Sequence, residues 1–548
     1  MNRWQLAFYI LFLCSALFKG NIKVKPPVKN TMANEHILWA DDEIELLKPH
    51  IIFLEGKGYK ITTVNNGRDA IDEVKKQYFD MIFLDENMPG ISGLEVLKQV
   101  KEYRNDLPVV LITKNEEEGM MEDAIGTKID DYLIKPAHPN QILLSIKKIL
   151  EKRELVKEKT TSAYQQEFRN IGMTMGERLN FEDWKNLYKK LVYWEVNFDK
   201  SEETGMEEIF KMQKQEANKN FCKYVEDNYI KFLPYDNAQA PIMSHTLMRR
   251  GILTEQEPGK PFFFILIDNL RFDQWRTISP IISEYFRVEK EDLYLSILPT
   301  STQYCRNAIF AGLMPSDIEK RFPGKWSNDE DDGGKNNFEG DFLMDLLGRL
   351  RKPLKTKYTK VVNLDQAKDM LDDIPNMFSN EMNVIVYNFV DSLSHARTDY
   401  KIMRELAEEE PAYRSITQSW FEHSPLWEAM KKIAEKGGKI VISTDHGSVR
   451  VTEAIKVIGD KKTTSNLRYK TGKNLSYNKK EVFEILKPED GFLPKQHLSS
   501  NFIFARENGY FVYPNNQNHY SNYYDNTFQH GGISIEEMLI PLITLAAK

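Results

Sequence analysis

Short apolar segments that end in a charged side chain recur along this chain, and they constrain its fold more than any other feature. The clearest reads "FFFILID", begins at Phe262 and ends in Asp268, so a segment typical of a buried strand delivers a carboxylate at its carboxyl end. Desolvating an unpaired charge is costly, and this carboxylate therefore requires partners from elsewhere in the chain. Such segments alternate with helical ones, which predicts sheets with functional side chains collected at one edge.

Length and composition narrow the classes of protein that this chain could be. At 548 residues it is expected to form three or four units at about 150 residues each. A net charge of -7 argues against binding nucleic acid through bulk charge. The three cysteines lie far apart, which argues against a disulfide framework and favours a reducing compartment, so we expect a cytoplasmic protein.

The amino terminus, residues 1–31, is a hydrophobic leader. Its apolar run is typical of a signal-peptide core or a short membrane anchor, but it is shorter than the roughly 20 residues that a span needs. A domain begins soon after Met32, so we expect residues 1–31 not to be part of the native protein. The alternative is a real membrane anchor.

Residues 33–150 repeat a strand–helix pattern, which predicts a doubly wound parallel sheet. Four predicted strands end in polar groups that should meet at one edge of the sheet. These groups are Asp41 and Asp42, Asp85, Thr113 and Lys135. Carboxylates of this kind bind Mg²⁺, Asp85 could attack a phosphoryl donor, and Thr113 and Lys135 could hold the acquired phosphate.

This segment resembles the receiver domain of bacterial response regulators. The resemblance implies phosphorylation of Asp85 by a sensor histidine kinase, Mg²⁺ bound by Asp42, Asp85 and the carbonyl of Asn87, and an aromatic switch residue at Tyr132. Asp41 belongs to the same acidic group. No basic recognition helix follows, so we expect no direct binding to promoter DNA.

Residues 151–240 are predicted to form a helical-bundle connector. Apolar residues recur at helical spacing between Phe210 and Tyr229, opposite a charged face. Contacts between helices could relay the state of the first domain or form a dimer. A passive spacer is an equally good interpretation.

Residues 241–548 again place polar groups after apolar strands, which predicts a larger α/β domain. These groups are Asp268, Asp391, His395, Asp445, His446 and His530. Their oxygen and nitrogen donors suit two ions of Zn²⁺ or Mn²⁺, which could act together in a phosphoryl displacement. Thr302 begins a predicted helix and is the candidate nucleophile, and Arg306 one turn later could contact the phosphate.

This constellation resembles the alkaline phosphatase superfamily and, within it, the PglZ domain. The resemblance implies one zinc held by Asp268, Thr302, Asp445 and His446, and another held by Asp391, His395 and His530. Taken singly, Asp268 and His530 read as structural residues, and a plain helix cap remains open for Thr302. The sulfatase branch is disfavoured because its nucleophile motif is absent.

The whole chain after the leader resembles response regulators associated with type IX secretion, in which a receiver is joined through helices to a PglZ domain. This implies a phosphodiesterase acting on cyclic or linear oligonucleotides, activated or driven into a homodimer by phosphorylation at Asp85. The competing hypothesis is a catalytically silent adaptor. Its partner would be a secretion component or a sigma factor.

Overall fold

A computed structural model describes most of the chain after the leader. The described ranges are 35–104, 107–114, 129–199, 206–329, 331, 334–393, 409–459, 466–495, 500–513 and 523–548, with no side chains for 151–162. The predicted leader, residues 1–31, therefore lies outside them. The chain divides into two compact units, Met1–Glu158 and Lys159–Lys548.

The first unit contains a five-stranded sheet in which every neighbouring pair is parallel, with the order β2-β1-β3-β4-β5. Separate apolar clusters lie on its two faces, one including Leu38 and Leu84 and the other Trp39 and Phe83. This alternation along the strands confirms the predicted doubly wound fold. The strands are β1 (His36–Ala40), β2 (Lys60–Val64), β3 (Met81–Asp85), β4 (Val109–Thr113) and β5 (Asp131–Ile134), and the helices are α1 (Lys48–Glu55), α2 (Gly67–Lys76), α3 (Gly93–Tyr103) and α4 (Pro139–Met175), with a 3₁₀ turn at Ile44–Leu47.

Strand β2 was missing from the predicted strands. Its sequence, "KITTV", has no long apolar run, and its residues are only half-buried or exposed because it forms the edge of the sheet. An edge strand needs one apolar face at most, so its sequence signal is weaker than that of the central strands.

The second unit begins with a helical connector, as predicted. It consists of the later part of α4, followed by α5 (Phe181–Asp199) and α6 (Glu207–Phe232). Tyr164 lies at its centre, with ring centroids 5.3 Å from Trp194, 5.0 Å from Phe198 and 5.9 Å from Phe210. Such edge-on aromatic packing stabilises the helical bundle.

The main sheet of the second unit has six strands in the order β7-β19-β10-β6-β9-β8. Strands β8, β9, β6 and β10 run parallel, whereas β19 is antiparallel to both β10 and β7. The strands are β6 (Phe262–Ile267), β7 (Phe286–Leu295), β8 (Thr356–Val361), β9 (Met382–Tyr387), β10 (Lys439–Ser443) and β19 (Leu539–Ala547). The parallel core brings the carboxyl ends of β6, β9 and β10 to one edge, as predicted.

Helices and three small sheets surround this core. The helices are α7 (Ser244–Leu247), which runs into a π-helical turn at Met248–Ile252, α8 (Phe272–Ile282), α9 (Thr302–Ala311), α10 (Pro315–Arg321), α11 (Glu339–Arg349), α12 (Leu364–Met377), α13 (Glu410–Glu422), α14 (Pro425–Glu435) and α15 (Ile535–Met538), with a 3₁₀ turn at Pro488–Gly491. The small sheets pair β11 (Val449–Arg450) with β18 (Phe528–Gln529), β12 (Glu453–Ile458) with β14 (Ser476–Tyr477) and β17 (Gly509–Val512), and β16 (Ser500–Ala505) with β13 (Tyr469–Lys473) and β15 (Val482–Ile485).

The predicted strand "VVNL", residues 361–364, is wrong in its position. The strand is Thr356–Val361, and Leu364 already begins helix α12, which the side chain of Asn363 caps. The cap explains the shift: the side chain of Asn363 accepts a hydrogen bond from the backbone N–H of Gln366, three residues later, and such an Asn favours the start of a helix.

A buried arginine joins the connector to the sheet of the second unit. Arg414 on α13 donates to Asp199 at 2.7 and 2.9 Å, to Glu195 at 3.2 Å and to Asp273 at 2.9 Å. Glu195 and Asp199 lie on α5, whereas Asp273 lies on α8 next to the end of β6. The connector and the sheet therefore share an ion network as well as one continuous apolar core.

None of the helices in the described part of the chain is long and apolar enough to span a membrane.

Replacing Arg414 with Gln should lower the free energy of unfolding by about 3–5 kcal/mol, because it leaves Asp199 without its cation and removes one of the cations that pair with Glu195 and Asp273. Arg321→Gln is the matched control, since Arg321 is 44% exposed and its ion pair is worth about 0–1 kcal/mol. Urea unfolding of the two variants measures the difference. Equal losses in both would show that Arg414 does not hold the connector in place.

Candidate active site

Two parallel strands deliver the acids at the centre of the site. Asp268 follows β6 and Asp445 lies just beyond the neighbouring β10, and both are fully buried. His446 comes next and is also buried. One ligand atom from each of Asp268, Asp445 and His446 lies within 4.8 Å of the others.

Thr302 joins this cluster from a different element. It is the first residue of α9, as predicted, and its Oγ1 lies 3.0 Å from Nε2 of His446 and 3.5 Å from Oδ1 of Asp268. The amino terminus of a helix carries free N–H groups and a partial positive charge, which favour a bound anion. The hydroxyl therefore lies where a phosphate group would be stabilised.

The cluster of Asp268, Asp445 and His446 fits a metal ion, and two properties of Asp445 support this fit. Oδ2 of Asp445 is buried and accepts no hydrogen bond from any residue that the structure describes. Burial raises the pKa of Asp445 well above its usual range, and the neighbouring Asp268 carboxylate adds to the increase. A divalent cation would supply the missing ligand contact and offset both effects, and two carboxylates with an imidazole are a donor set that Zn²⁺ accepts.

The second predicted ligand set lies beside the first. Oδ1 of Asp391 is 3.7 Å from Nε2 of His530, and the ring of His530 stacks on that of His446 with centroids 4.2 Å apart. Nδ1 of His446 lies 3.1 Å from the carbonyl oxygen of Gly447, which leaves its Nε2 directed at Thr302. The third member of this set, His395, lies outside the described residues.

Sequence reasoning missed Asn269, which links the two ligand sets. Its backbone N–H lies 3.4 Å from Oδ1 of Asp445, and its side-chain Nδ2 lies 3.4 Å from Oδ1 of Asp391. The residue adopts a left-handed conformation with φ of 62°, which Asn tolerates better than most residues. Its position directly after Asp268 was the only sequence signal.

The structure places Arg306 away from the phosphate-binding role expected for it. The guanidinium is buried, donates to Oδ2 of Asp268 at 2.6 Å and pairs with Glu339 on α11. A third contact joins it to Asn388 at 3.1 Å. Because these groups already engage the guanidinium, Arg306 fixes the position of Asp268, and the expected phosphate contact is corrected.

In the first unit, the predicted acids meet at the end of the sheet. One carboxylate oxygen from each of Asp41, Asp42 and Asp85 lies within 4.8 Å of the others, a set of oxygen ligands that suits Mg²⁺. Nζ of Lys135 lies 2.8 Å from Asp41 and 3.0 Å from Asp85. Burial raises the pKa of Asp85, against the hydrogen bond from Lys135, and the Asp41 carboxylate adds to the increase.

Three further residues were predicted to belong to the site of the first unit, namely Asn87, Thr113 and Tyr132. Thr113 is the last residue of β4 and is half-buried, whereas Asn87 is exposed two positions after Asp85. Tyr132 lies on β5 and is 42% exposed.

Comparison with known protein families identifies the second unit. The family model described as the BREX system PglZ alkaline phosphatase-like domain matches residues 250–545. The chain belongs to the PglZ family. Two further models match outside the PglZ domain, the response regulator receiver domain over residues 37–147 and the PorX response regulator linker domain over residues 154–233. The protein is thus a response regulator with the PorX-like arrangement of a receiver, a linker and a PglZ domain.

Curated relatives include transcriptional regulators that match about a fifth of the chain. The transcriptional regulatory protein ResD of Bacillus subtilis is 33% identical over 116 residues, 21% of this chain and 48% of ResD. The alginate biosynthesis transcriptional regulatory protein AlgB of Pseudomonas syringae pv. tomato is 36% identical over 119 residues, 22% of this chain and 27% of AlgB. The chain therefore spans at most about half of each of these relatives.

Solved receiver-domain structures match a similar share of the chain. A CheY-like receiver domain protein from Methanospirillum hungatei is 22% identical, with 22% of this chain and 98% of that chain covered and a TM-score of 0.22. The chemotaxis protein CheY4 of Vibrio cholerae is 26% identical, with 21% of this chain and 99% of that chain covered and a TM-score of 0.21.

A double-mutant cycle tests the position of Arg306. Arg306→Met should lower the free energy of unfolding by about 3–5 kcal/mol, since Asp268 would remain buried without its cation and Glu339 would keep only Lys360, 3.2 Å away. Adding Glu339→Gln should recover part of this loss, with a coupling of about 1–3 kcal/mol in urea unfolding. A variant of normal stability whose only defect is weaker substrate binding would instead support the phosphate contact.

Proposed function

We propose that this protein is a phosphorylation-controlled phosphodiesterase whose PglZ domain depends on zinc and uses Thr302 as its nucleophile. A sensor histidine kinase would phosphorylate Asp85 in the receiver, with Mg²⁺ held by the acids around it. The observation that carries the proposal is the placement of the Thr302 hydroxyl at the start of α9, 3.0 Å from His446 and 3.5 Å from Asp268.

The residues that would hold zinc follow from the two ligand sets. Asp268, Thr302, Asp445 and His446 would hold one ion, and Asp391, His395 and His530 the other. Bound zinc supplies a Lewis acid that lowers the pKa of a hydroxyl and neutralises charge on a phosphoryl group.

Thr302 carries out the first chemical step. Its Oγ forms a bond to phosphorus while the bond from phosphorus to the leaving oxygen breaks, which gives a phospho-threonine and a free alcohol. The proton lost by the hydroxyl balances the one gained by the leaving oxygen. The first-turn N–H groups of α9 stabilise the negative charge on the phosphoryl oxygens.

Water completes the reaction. It attacks the phosphorus of the phospho-threonine, restores the hydroxyl of Thr302 and releases a phosphate monoester. Arg306 keeps the Asp268 carboxylate in place through both steps, because its guanidinium, itself paired with Glu339, donates to Oδ2 of Asp268 while Oδ1 faces Thr302.

The substrate and the biological role rest on the family resemblance. We propose a cyclic or linear oligonucleotide as the substrate and the control of type IX secretion as the role. Phosphorylation at Asp85 is proposed to activate the enzyme or to bring two copies together.

Thr302→Ala should reduce hydrolysis of a phosphodiester by about 10³-fold or more, because the covalent step has no nucleophile. Hydrolysis of a diester and a monoester, side by side, with added zinc or with a chelator, measures the effect. Thr302→Ser is the matched control and should retain activity because it keeps the hydroxyl. A wild-type protein that binds two zinc ions yet cleaves no phosphoester would refute the enzyme and favour the adaptor.

Asp85→Asn should abolish incorporation of phosphate from acetyl phosphate, since an amide oxygen is a far weaker nucleophile than a carboxylate. Gel separation of the phosphorylated form measures it, with and without Mg²⁺. Asp80→Asn is the control, because Asp80 lies before β3 and accepts a hydrogen bond from the backbone N–H of His36 at 2.7 Å. Undiminished labelling of the Asp85 variant would move the phosphorylation site elsewhere.

A further inference from the structure

A buried glutamate in α15 makes contacts to the site that the proposed mechanism does not use. The side chain of Glu537 is fully buried and pairs with the equally buried Arg468, whose Nη2 lies 2.6 Å from Oε2 and whose Nε lies 3.3 Å from Oε1. Breaking such a pair is costly, so this carboxylate is fixed in place.

The opposite side of the Glu537 carboxylate faces the loop that carries His530. Oε1 accepts a hydrogen bond from the backbone N–H of Gly532 at 2.9 Å and lies 3.3 Å from the hydroxyl of Thr300. Oε2 of Glu537 thus accepts from Arg468, whereas Oε1 accepts from both Arg468 and the loop of His530. Only a group that accepts in both directions can do this.

Thr300 connects the loop of His530 to the segment of the nucleophile. Its hydroxyl accepts from the backbone N–H of Gly531 at 2.9 Å, and its carbonyl oxygen lies 3.1 Å from Nδ1 of His530. When Nδ1 donates to this carbonyl, Nε2 is left as the acceptor, and Nε2 is the atom that faces Asp391. Thr302 follows two residues later on the same segment.

The backbone near Glu537 packs closely against the loops of both histidines at two glycines. The backbone N–H of Gly447, next to His446, donates to the carbonyl oxygen of Glu537 at 3.1 Å. A Cβ at Gly447 would lie 2.0 Å from the carbonyl oxygen of Glu536, and one at Gly532 would lie 2.4 Å from that of Ala505. Small shifts of α15 are therefore passed to both histidine loops.

We propose that Glu537 is a positioning residue that aligns His530 with the segment carrying Thr302 and thereby determines the affinity of the metal position formed with Asp391. The inference rests on the proposed function, since it requires the second zinc ion. Groups that orient metal-binding histidines typically change metal affinity about 10–100-fold when they are replaced.

The first test is Glu537→Gln in the full chain. The amide has one accepting and one donating side, so its NH₂ group must face the donors of either Arg468 or the loop of Gly532. Glu536→Gln is the matched control, because Glu536 is a neighbouring buried acid on the same helix that pairs with Lys214 at 3.1 Å.

Zinc titration of the metal-free proteins against a chromogenic chelator provides the measurement. Asp391→Ala first identifies which binding step belongs to the position at Asp391 and His530. We expect Glu537→Gln to weaken that step about 10–100-fold and to leave the other unchanged. Glu536→Gln should match the wild type in both steps.

A second pair of variants covers the case in which Glu537→Gln does not fold. Thr300→Val removes the hydroxyl that accepts from Gly531 and that lies 3.0 Å from the carbonyl oxygen of Gly532 and 3.3 Å from Oε1 of Glu537, so it should weaken the same binding step. Thr300→Ser keeps the hydroxyl and should restore it. Circular dichroism reports whether each variant is folded.

The outcomes separate this inference from the proposed function. A wild type that binds two zinc ions, with the same two affinities in folded Glu537→Gln or in Thr300→Val, overturns the positioning role alone. A wild type that binds fewer than two zinc ions overturns the two-zinc proposal and this inference with it. Equal weakening by Glu536→Gln and Glu537→Gln would reduce the effect to general destabilisation and would also overturn the inference.

Discussion

Two neighbouring buried carboxylates set the charge balance on which the catalytic unit depends. Asp268 and Asp445 follow the paired strands β6 and β10, and both are fully buried, so their mutual repulsion is stronger than it would be at the surface. Nη1 of Arg306 pairs with Oδ2 of Asp268, and Nε of the same arginine pairs with Glu339. Oδ2 of Asp445 accepts no hydrogen bond from the described residues, so a permanent protein cation and an exchangeable metal ion would divide the charge between them.

The same solution recurs around the site. Arg271, Arg306, Arg414 and Arg468 are all buried, and each joins elements that are distant in the sequence. Arg271 pairs with Asp273 at 2.5 Å and with Glu410, and its guanidinium lies 4.9 Å from the centre of the Phe528 ring. Arginine does not lose its proton in a protein, so these groups are fixed counter-charges that hold the loops of the site in one arrangement.

The sequence was sufficient for the architecture of the site because its main signals are local. An apolar run followed by an acid identifies the end of a buried strand, and parallel pairing then brings Asp268, Asp445 and Asp391 to one edge. Edge strand β2 and the start of α12 were missed because half-burial and side-chain capping leave weak patterns. The partners of the buried arginines could not be predicted from the sequence, because Arg306 and Glu339, for example, belong to different helices that meet only in the folded chain.

Residues whose role comes from the backbone were equally hidden. Asn269 acts through a left-handed turn, and Thr300 and Glu537 act through hydrogen bonds to N–H and C=O groups of distant loops. No pattern of apolar and polar residues encodes such contacts. Two adjacent glutamates in the apolar segment "SIEEMLIPLITL" were the available hint, because buried acids need dedicated partners.

The buried contacts of the connector bear on how such proteins can be recombined in evolution. Family models divide the chain between residues 233 and 250, yet the folded unit extends back to Lys159. Arg414 is shared by α5, α8 and α13, and the connector helices contribute to one core with the catalytic sheet. A gene fusion that moved the PglZ domain to a new sensor without α5 and α6 would leave buried charges such as Arg414 without some of their partners. The connector and the PglZ domain are therefore expected to be inherited together.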